Sequence, residues 1–158
     1  MAVRPARRAV WPISRYPDQL ISHLADIIAK APASNLVVDA GSGTGIFTRR
    51  LRAALPDAMR IVGIELSPSM RAQAVTETAD HAGLAFGDGV AEDLPFVGDA
   101  ARAVVAATAA HWFDRPAFYA KARRILVPGG VIAIVEYVRD QAGSPIAAVL
   151  IEFTDDNC

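Results

Sequence analysis

Asp39, Gly41, Gly43 and Gly45 stand together in "VVDAGSGTGIFT", where an aliphatic run passes through one acid into a glycine-rich turn. Glycine has no Cβ, so such a turn bends sharply and lets backbone come close to a ligand. Placed after a buried strand, it is a cradle for a nucleotide-like molecule. The glycines read G-S-G-T-G, the third one position earlier than in the G-x-G-x-x-G of dinucleotide sites. A carboxylate just ahead of the turn would also repel a pyrophosphate held at a helix N-terminus. Asp39 suits instead a cationic group, such as the α-ammonium of a methionine moiety. The spacing therefore favours S-adenosyl-L-methionine over NAD.

A second acid, Glu65, closes "RIVGIEL", where the next strand end lies beside the first. A carboxylate there accepts from both hydroxyls of a ribose, which every adenosine cofactor carries. On the next loop, "GDGVAEDLPF" offers Asp88, Glu92 and Asp93 as acceptors for an adenine amino group, with the Ala91 backbone for a ring nitrogen. Leu66 and Met70 are placed either to line the adenine or to join the core. His111 is the candidate general base, just past a strand end and titrating near neutrality. The alternative is that His111 and Trp112 pack their own loop. His23 and His81, without clustered partners, read as ordinary helix and surface residues.

These residues need strand ends to hold them. "NLVVDA", "RIVGIEL", "GLAFGDG", "ARAVVAATA" and "GGVIAIVEY" read as five strands, short and apolar enough to be buried on both faces. The alanines of the fourth weaken that reading. Helices are expected from "YPDQLISHLADIIAKA", from "IFTRRLRAAL", from Ser67-Pro68 to about Thr78, and over "RPAFYAKARRIL" up to the break at "VPGG". Ser144 and Pro145 predict the start of a last helix over "SPIAAVLIEF". Alternating strands and helices imply right-handed crossovers, hence an α/β, Rossmann-like, doubly wound sheet of about five parallel strands with helices on both faces. With no linker or repeat in view, residues 1–158 read as one domain.

Composition narrows the partners. The chain is 53% hydrophobic and 21% charged, with a formal net charge of -1, so nothing draws it toward nucleic acid. Its single cysteine, Cys158, allows no internal disulfide and no cysteine metal cluster. No apolar run reaches the eighteen residues of a membrane span, and Pro12 interrupts any signal-like stretch behind Arg4, Arg7 and Arg8. These arginines read as a solvated tail, and the location expected is cytoplasmic.

With these residues placed, the chain resembles the class I S-adenosylmethionine-dependent methyltransferases, in their type 11 branch. "VVDAGSGTG", "IVGIELSPSM", "AEDLPF" and "ARRILVPGGVIAI" are similar to four motifs of that family, in order. "SRYPDQL" and "AAHWFDRPAFYAKARRIL" resemble segments of enzymes similar to trans-aconitate methyltransferases. The resemblance implies methyl transfer to a small-molecule acceptor, a carboxylic acid among those considered. It places Tyr16, Asp39, Ala40, Gly41, Ser42, Gly43, Gly45, Glu65, Leu66, Met70, Ala91, Glu92 and Thr108 against the cofactor, with Tyr16 and Arg15 alternatively anchoring the first helix. Val90 stands where many relatives carry an acid. The family fold usually ends in an antiparallel hairpin of strands six and seven, expected to be missing here, which would leave a sheet edge open to pairing with a second copy. A non-catalytic cofactor-binding module is accordingly the second reading, and an NAD-dependent oxidoreductase the third.

Overall fold

The protein is described by a computed structural model covering residues 7–12, 16–79, 81–139, 142 and 145–154. Among these, strands β1 (Arg7–Pro12), β2 (Leu36–Ala40), β3 (Arg60–Ile64), β4 (Leu84–Gly87), β5 (Ala101–Ala107), β6 (Leu126–Arg139) and β7 (Pro145–Phe153) form one sheet in the order β1-β7-β6-β5-β2-β3-β4. Strands β2 to β6 are mutually parallel, the five expected. Four helices connect them: α1 (Asp18–Lys30), α2 (Ile46–Ala54), α3 (Pro68–Thr78) and α4 (Arg115–Ile125).

The strands are apolar on both faces because both faces are covered. Val37 and Val105 point to the side packed by Leu20, Leu24, Phe47 and Leu51 of α1 and α2. Their neighbours Val38 and Val104 point to the side packed by Phe118, Ala122 and Ile125 of α4. The alanines of β5 belong to this double burial: the whole strand is buried between β2 and β6, where small side chains fit beneath helices on either face. Helix starts follow their caps. Ser67 Oγ accepts from Met70 N (3.3 Å) with Pro68 in the first turn, and Asp114 Oδ1 accepts from Ala117 N (3.3 Å).

Two expectations are corrected. Residues Pro145–Phe153 form a strand, not a helix, pairing antiparallel with β6 from Arg139↔Pro145 to Val131↔Phe153. Val149 and Ile151 enter the core beneath α1, while Leu150 packs on the α4 side. A run apolar on both faces suits a central strand, and the Ser-Pro start signal was local evidence only. The "VPGG" stretch ends α4 as expected and lies within β6 at a shift of register: Leu126 pairs with Ala101, and regular pairing resumes at Ala103↔Val131. Finally, Arg7 and Arg8 lie in β1, which pairs antiparallel with β7 (Arg7↔Ile151 to Pro12↔Ile146), not in a solvated tail.

The sheet beyond the last parallel strand is therefore not bare. β7 takes the place next to β6 and β1 the outer place, so the positions expected to be vacant are filled from both ends of the chain. The edge that was to invite a second copy is paired, and the outer strands are β1 and β4. Chain direction across the sheet reverses at β2: α2 leads to β3 on one side, and β5 lies on the other. The crevice at the C-terminal ends of β2 and β5 is where such sheets bind ligands.

Candidate functional site

That crevice is a cavity of about 570 Å³, within the size range of small-molecule sites. The turn after β2 forms its floor. Gly41, Gly43 and Gly45 all adopt positive φ (70°, 58° and 83°), which explains the glycine at each position. Their surroundings differ. A Cβ on Gly41 would meet Ala109 at 2.9 Å and Phe113 at 3.0 Å, and one on Gly45 would meet Phe86 at 2.9 Å. A Cβ on Gly43 would meet nothing within 4 Å, so this glycine faces open space. Gly45 lies outside the cavity lining as the N-cap of α2, and Ala40 lies outside it as the buried end of β2.

Asp39 is 1% exposed at the end of β2, yet it reaches the cavity. Oδ2 accepts from the Thr48 hydroxyl (2.7 Å), while Oδ1 is buried without a partner. Burial raises the Asp39 pKa from the usual carboxylate range to about 7, the Thr48 hydrogen bond opposing and Glu65 adding to the rise. A second buried polar atom without a partner, Ser42 Oγ, belongs to the same wall. Buried polar groups are nearly always satisfied, so two orphans at one cavity mark a place for a ligand with donors of its own.

Glu65 organises the neighbouring wall. Its Oε2 accepts from Gly43 N (2.7 Å) and its Oε1 from Ser67 N (3.0 Å), tying the glycine turn to the start of α3. A carboxylate has about four acceptor sites, so capacity for two hydroxyls remains. Arg71 holds this segment from behind, donating to Glu65 O (2.7 Å) and to Asp88 (3.1 Å). Asp88 is thereby turned away from the cavity, and Asp93 pairs with Lys121 (3.5 Å). Ala91 and Glu92 do line the cavity, Glu92 Oε1 accepting from Asp114 N (2.8 Å). Leu66 and Met70 line it too and are 63% and 47% exposed, so they are not core residues.

Tyr16 and Thr108 meet in the cavity lining, both non-glycine residues at positive φ (55° and 53°). The Tyr16 hydroxyl and Thr108 Oγ1 are 2.9 Å apart, and Tyr16 N donates to the Tyr137 hydroxyl (3.3 Å). Arg50 donates to the Tyr16 carbonyl and pairs with Asp18. Burial raises the Tyr16 pKa, partly offset by the Thr108 hydrogen bond. So many attachments explain how two strained backbones persist side by side. Arg15 lies outside the described residues.

His111 is exposed, stands with its ring 4.9 Å from that of Trp112, and is not part of the cavity lining. Trp112 and Phe113 do line the cavity. His23 and His81 are exposed and remote from it. The sequence reading missed Thr48, whose place one helical turn into α2 aims it back at Asp39, and Phe113, whose packing on Gly41 no local pattern announces. Among the described residues, no group of His, Cys, Asp or Glu is placed to hold a metal, and no helix is long and apolar enough to cross a membrane.

Comparison with known proteins adds a family. Residues 37–130 match the methyltransferase domain family. The chain is 38% identical over 97 residues to a malonyl-[acyl-carrier protein] O-methyltransferase of Hahella chejuensis, covering 60% of this chain and 33% of that one. A solved type II methyltransferase structure from Anaeromyxobacter dehalogenans superposes with a TM-score of 0.65 at 30% identity, over 78% of this chain and 48% of that one. The fold is also that of geranyl diphosphate C-methyltransferase from Streptomyces coelicolor, solved with S-adenosyl-L-homocysteine (TM-score 0.65, 19% identity, 77% and 46% covered). The chain thus spans less than half the length of each of these relatives.

Proposed function

The chain belongs to the methyltransferase domain family, and on that premise we propose that it binds S-adenosyl-L-methionine in the cavity beyond β2 and transfers a methyl group to a small-molecule acceptor, a carboxylic acid in the reading we favour. The observation that carries the cofactor is Asp39, a buried carboxylate with one satisfied and one orphaned oxygen on the cavity wall. A ligand without a donor would leave that oxygen wanting, whereas an ammonium donates to it and also favours its ionised form.

The remaining residues fit the same ligand. Gly43 leaves space for a close approach, and Glu65 keeps two acceptor sites for ribose hydroxyls. Leu66 and Met70 offer exposed apolar surface for a base, near the Ala91 backbone and Glu92. Ser42, Tyr16 and Thr108 supply hydroxyls along the other end. When bound, the cofactor supplies a sulfonium-activated methyl that a nucleophile displaces directly. The chain's part is to align the two and keep water out.

Among the described lining residues there is no histidine, lysine or cysteine to take a proton, and the carboxylates are engaged, Asp39 by Thr48, Glu65 by Gly43 N and Ser67 N, and Glu92 by Asp114 N. A carboxylic acid is already ionised near neutral pH and needs no base, which favours it over hydroxyl and carbon acceptors. The name of the Hahella relative, an O-methyltransferase of a malonyl thioester, is in keeping with a carboxyl acceptor. We place the activity in the cytoplasm, in line with a single cysteine and no disulfide.

Isothermal titration with S-adenosyl-L-methionine, S-adenosyl-L-homocysteine and NAD tests the assignment. Micromolar binding of the first two and none of NAD is the expected result. Preference for NAD would overturn it.

A further inference from the structure

Resting on that cofactor assignment, we infer that the acceptor is an apolar molecule whose only anionic group is the one that receives the methyl. Two features of the cavity carry this. The first is charge. Three carboxylates, Asp39, Glu65 and Glu92, line the cavity, and among the described lining residues there is no lysine, arginine or histidine. Among the described lining residues there is thus no cation to meet an acceptor anion, and the cofactor brings its own, with Asp39 engaging its ammonium. The sulfonium is left as the one partner for an acceptor anion.

A single carboxylate is drawn to the reacting carbon by that charge. Transfer breaks the sulfur–methyl bond as the carboxylate oxygen forms its bond to carbon, so sulfonium and carboxylate become neutral thioether and neutral ester together. A second carboxylate or a phosphate on the acceptor would find no cation among the described lining residues and would add to the negative charge that Glu65 and Glu92 already bring to the cavity. Tricarboxylates and diphosphates are disfavoured on this ground.

The second feature is exposed apolar surface. Trp112 lines the cavity at 82% exposure and Ile46 at 41%, in addition to Leu66 and Met70. Exposed large side chains gathered at one cavity mark a binding surface rather than scattered surface residues. Leu66 and Met70 serve the adenine in the assignment above. Trp112 and Ile46 remain for the acceptor body, and an alkyl or aryl chain covers them.

The test is transfer of labelled methyl from S-adenosyl-L-methionine to straight-chain acids, with acid binding followed by titration in parallel. From butanoate to decanoate, kcat/KM rises about two- to fourfold per methylene as apolar surface is covered. Octanoate exceeds octanedioate by at least roughly 30-fold. Trp112→Ala flattens the chain-length series with the fold intact by circular dichroism. A diacid equal to the monoacid, or a series without slope in both transfer and titration, overturns the inference while leaving the cofactor assignment standing. Failure of S-adenosyl-L-methionine itself to bind overturns both.

Discussion

Asp39 ties the sequence to the chemistry most directly, and its raised pKa makes the tie measurable. The folded protein holds a proton on Asp39 up to about pH 7, whereas an unfolded aspartate loses it near pH 4. Between these values the folded state binds the extra proton, so this residue's contribution to stability falls as pH rises and is unfavourable above pH 7. An ammonium ligand requires the ionised form, so S-adenosyl-L-methionine binding weakens below about pH 7, by up to roughly tenfold per pH unit. Titration at pH 6.5 in two buffers of different ionisation enthalpy should reveal proton release, which vanishes at pH 8.5. Asp39→Asn should raise the melting temperature of the unliganded protein by about 4 °C at pH 8. It should also cost roughly 10- to 100-fold in cofactor affinity. Unchanged affinity would remove Asp39 from the site.

The glycines divide at the same scale. Gly43→Ala places a methyl in open space at φ 58°, so it costs about 1 kcal/mol of stability while obstructing the ligand and lowering affinity by roughly 30-fold or more. Gly45→Ala meets Phe86 at 2.9 Å at φ 83°, so its main effect is on the fold, about 3 kcal/mol by urea denaturation. Sequence spacing grouped these glycines, and only the packing around each separates ligand contact from helix seating. His111 shows the same limit. Its place past β5 makes it a candidate base, while in the structure its side chain is exposed and absent from the cavity lining. His111→Ala is expected to leave turnover within about twofold, the effect usual for an exposed side chain away from the reacting groups. Loss of turnover with cofactor affinity retained would restore it as the base.

Among the elements, those with strong local signals were legible. α3 and α4 begin at their Ser67 and Asp114 caps, and β2 with its glycine turn stands where the aliphatic run and Asp39 put it. β7 was not legible, because Ser144-Pro145 suggests a helix start and only pairing with β6 makes "PIAAVLIEF" a strand. Long-range side-chain ties were equally silent. Arg102, buried in β5, donates to Ala29 O (3.0 Å) and Ile28 O (3.3 Å), closing the last turn of α1 from across the fold. Its guanidinium meets carbonyls of the last turn of α1, sharing that of Ile28 with Ala31 N (3.1 Å). Arg102→Leu should therefore lower stability by about 2–3 kcal/mol, read as a shift in urea midpoint with the slope unchanged. A shift below half that value would mean water satisfies those carbonyls equally well.

At the scale of the whole molecule, the open question is what closes the sheet. β7 presents one edge to β6 and the other to β1, in the six pairs from Arg7↔Ile151 to Pro12↔Ile146. Without β1, the outer edge of β7 would expose an unpaired row of N–H and C=O groups along "IAAVLI", an apolar segment free of charge. Such an edge pairs readily with another chain. β1 thus does for the sheet what a second copy was expected to do. A chain lacking residues 1–12 should then run as larger species than the full chain does in size-exclusion chromatography with light scattering at the same concentration. Replacing Val149 by lysine in the shortened chain would not separate edge exposure from core damage, since Val149 is buried. Raising the salt concentration serves better, because backbone pairing of an uncharged edge persists when charge–charge contacts are screened. A shortened chain that stays folded and no larger in assembly than the full chain would show that β7 tolerates an open edge.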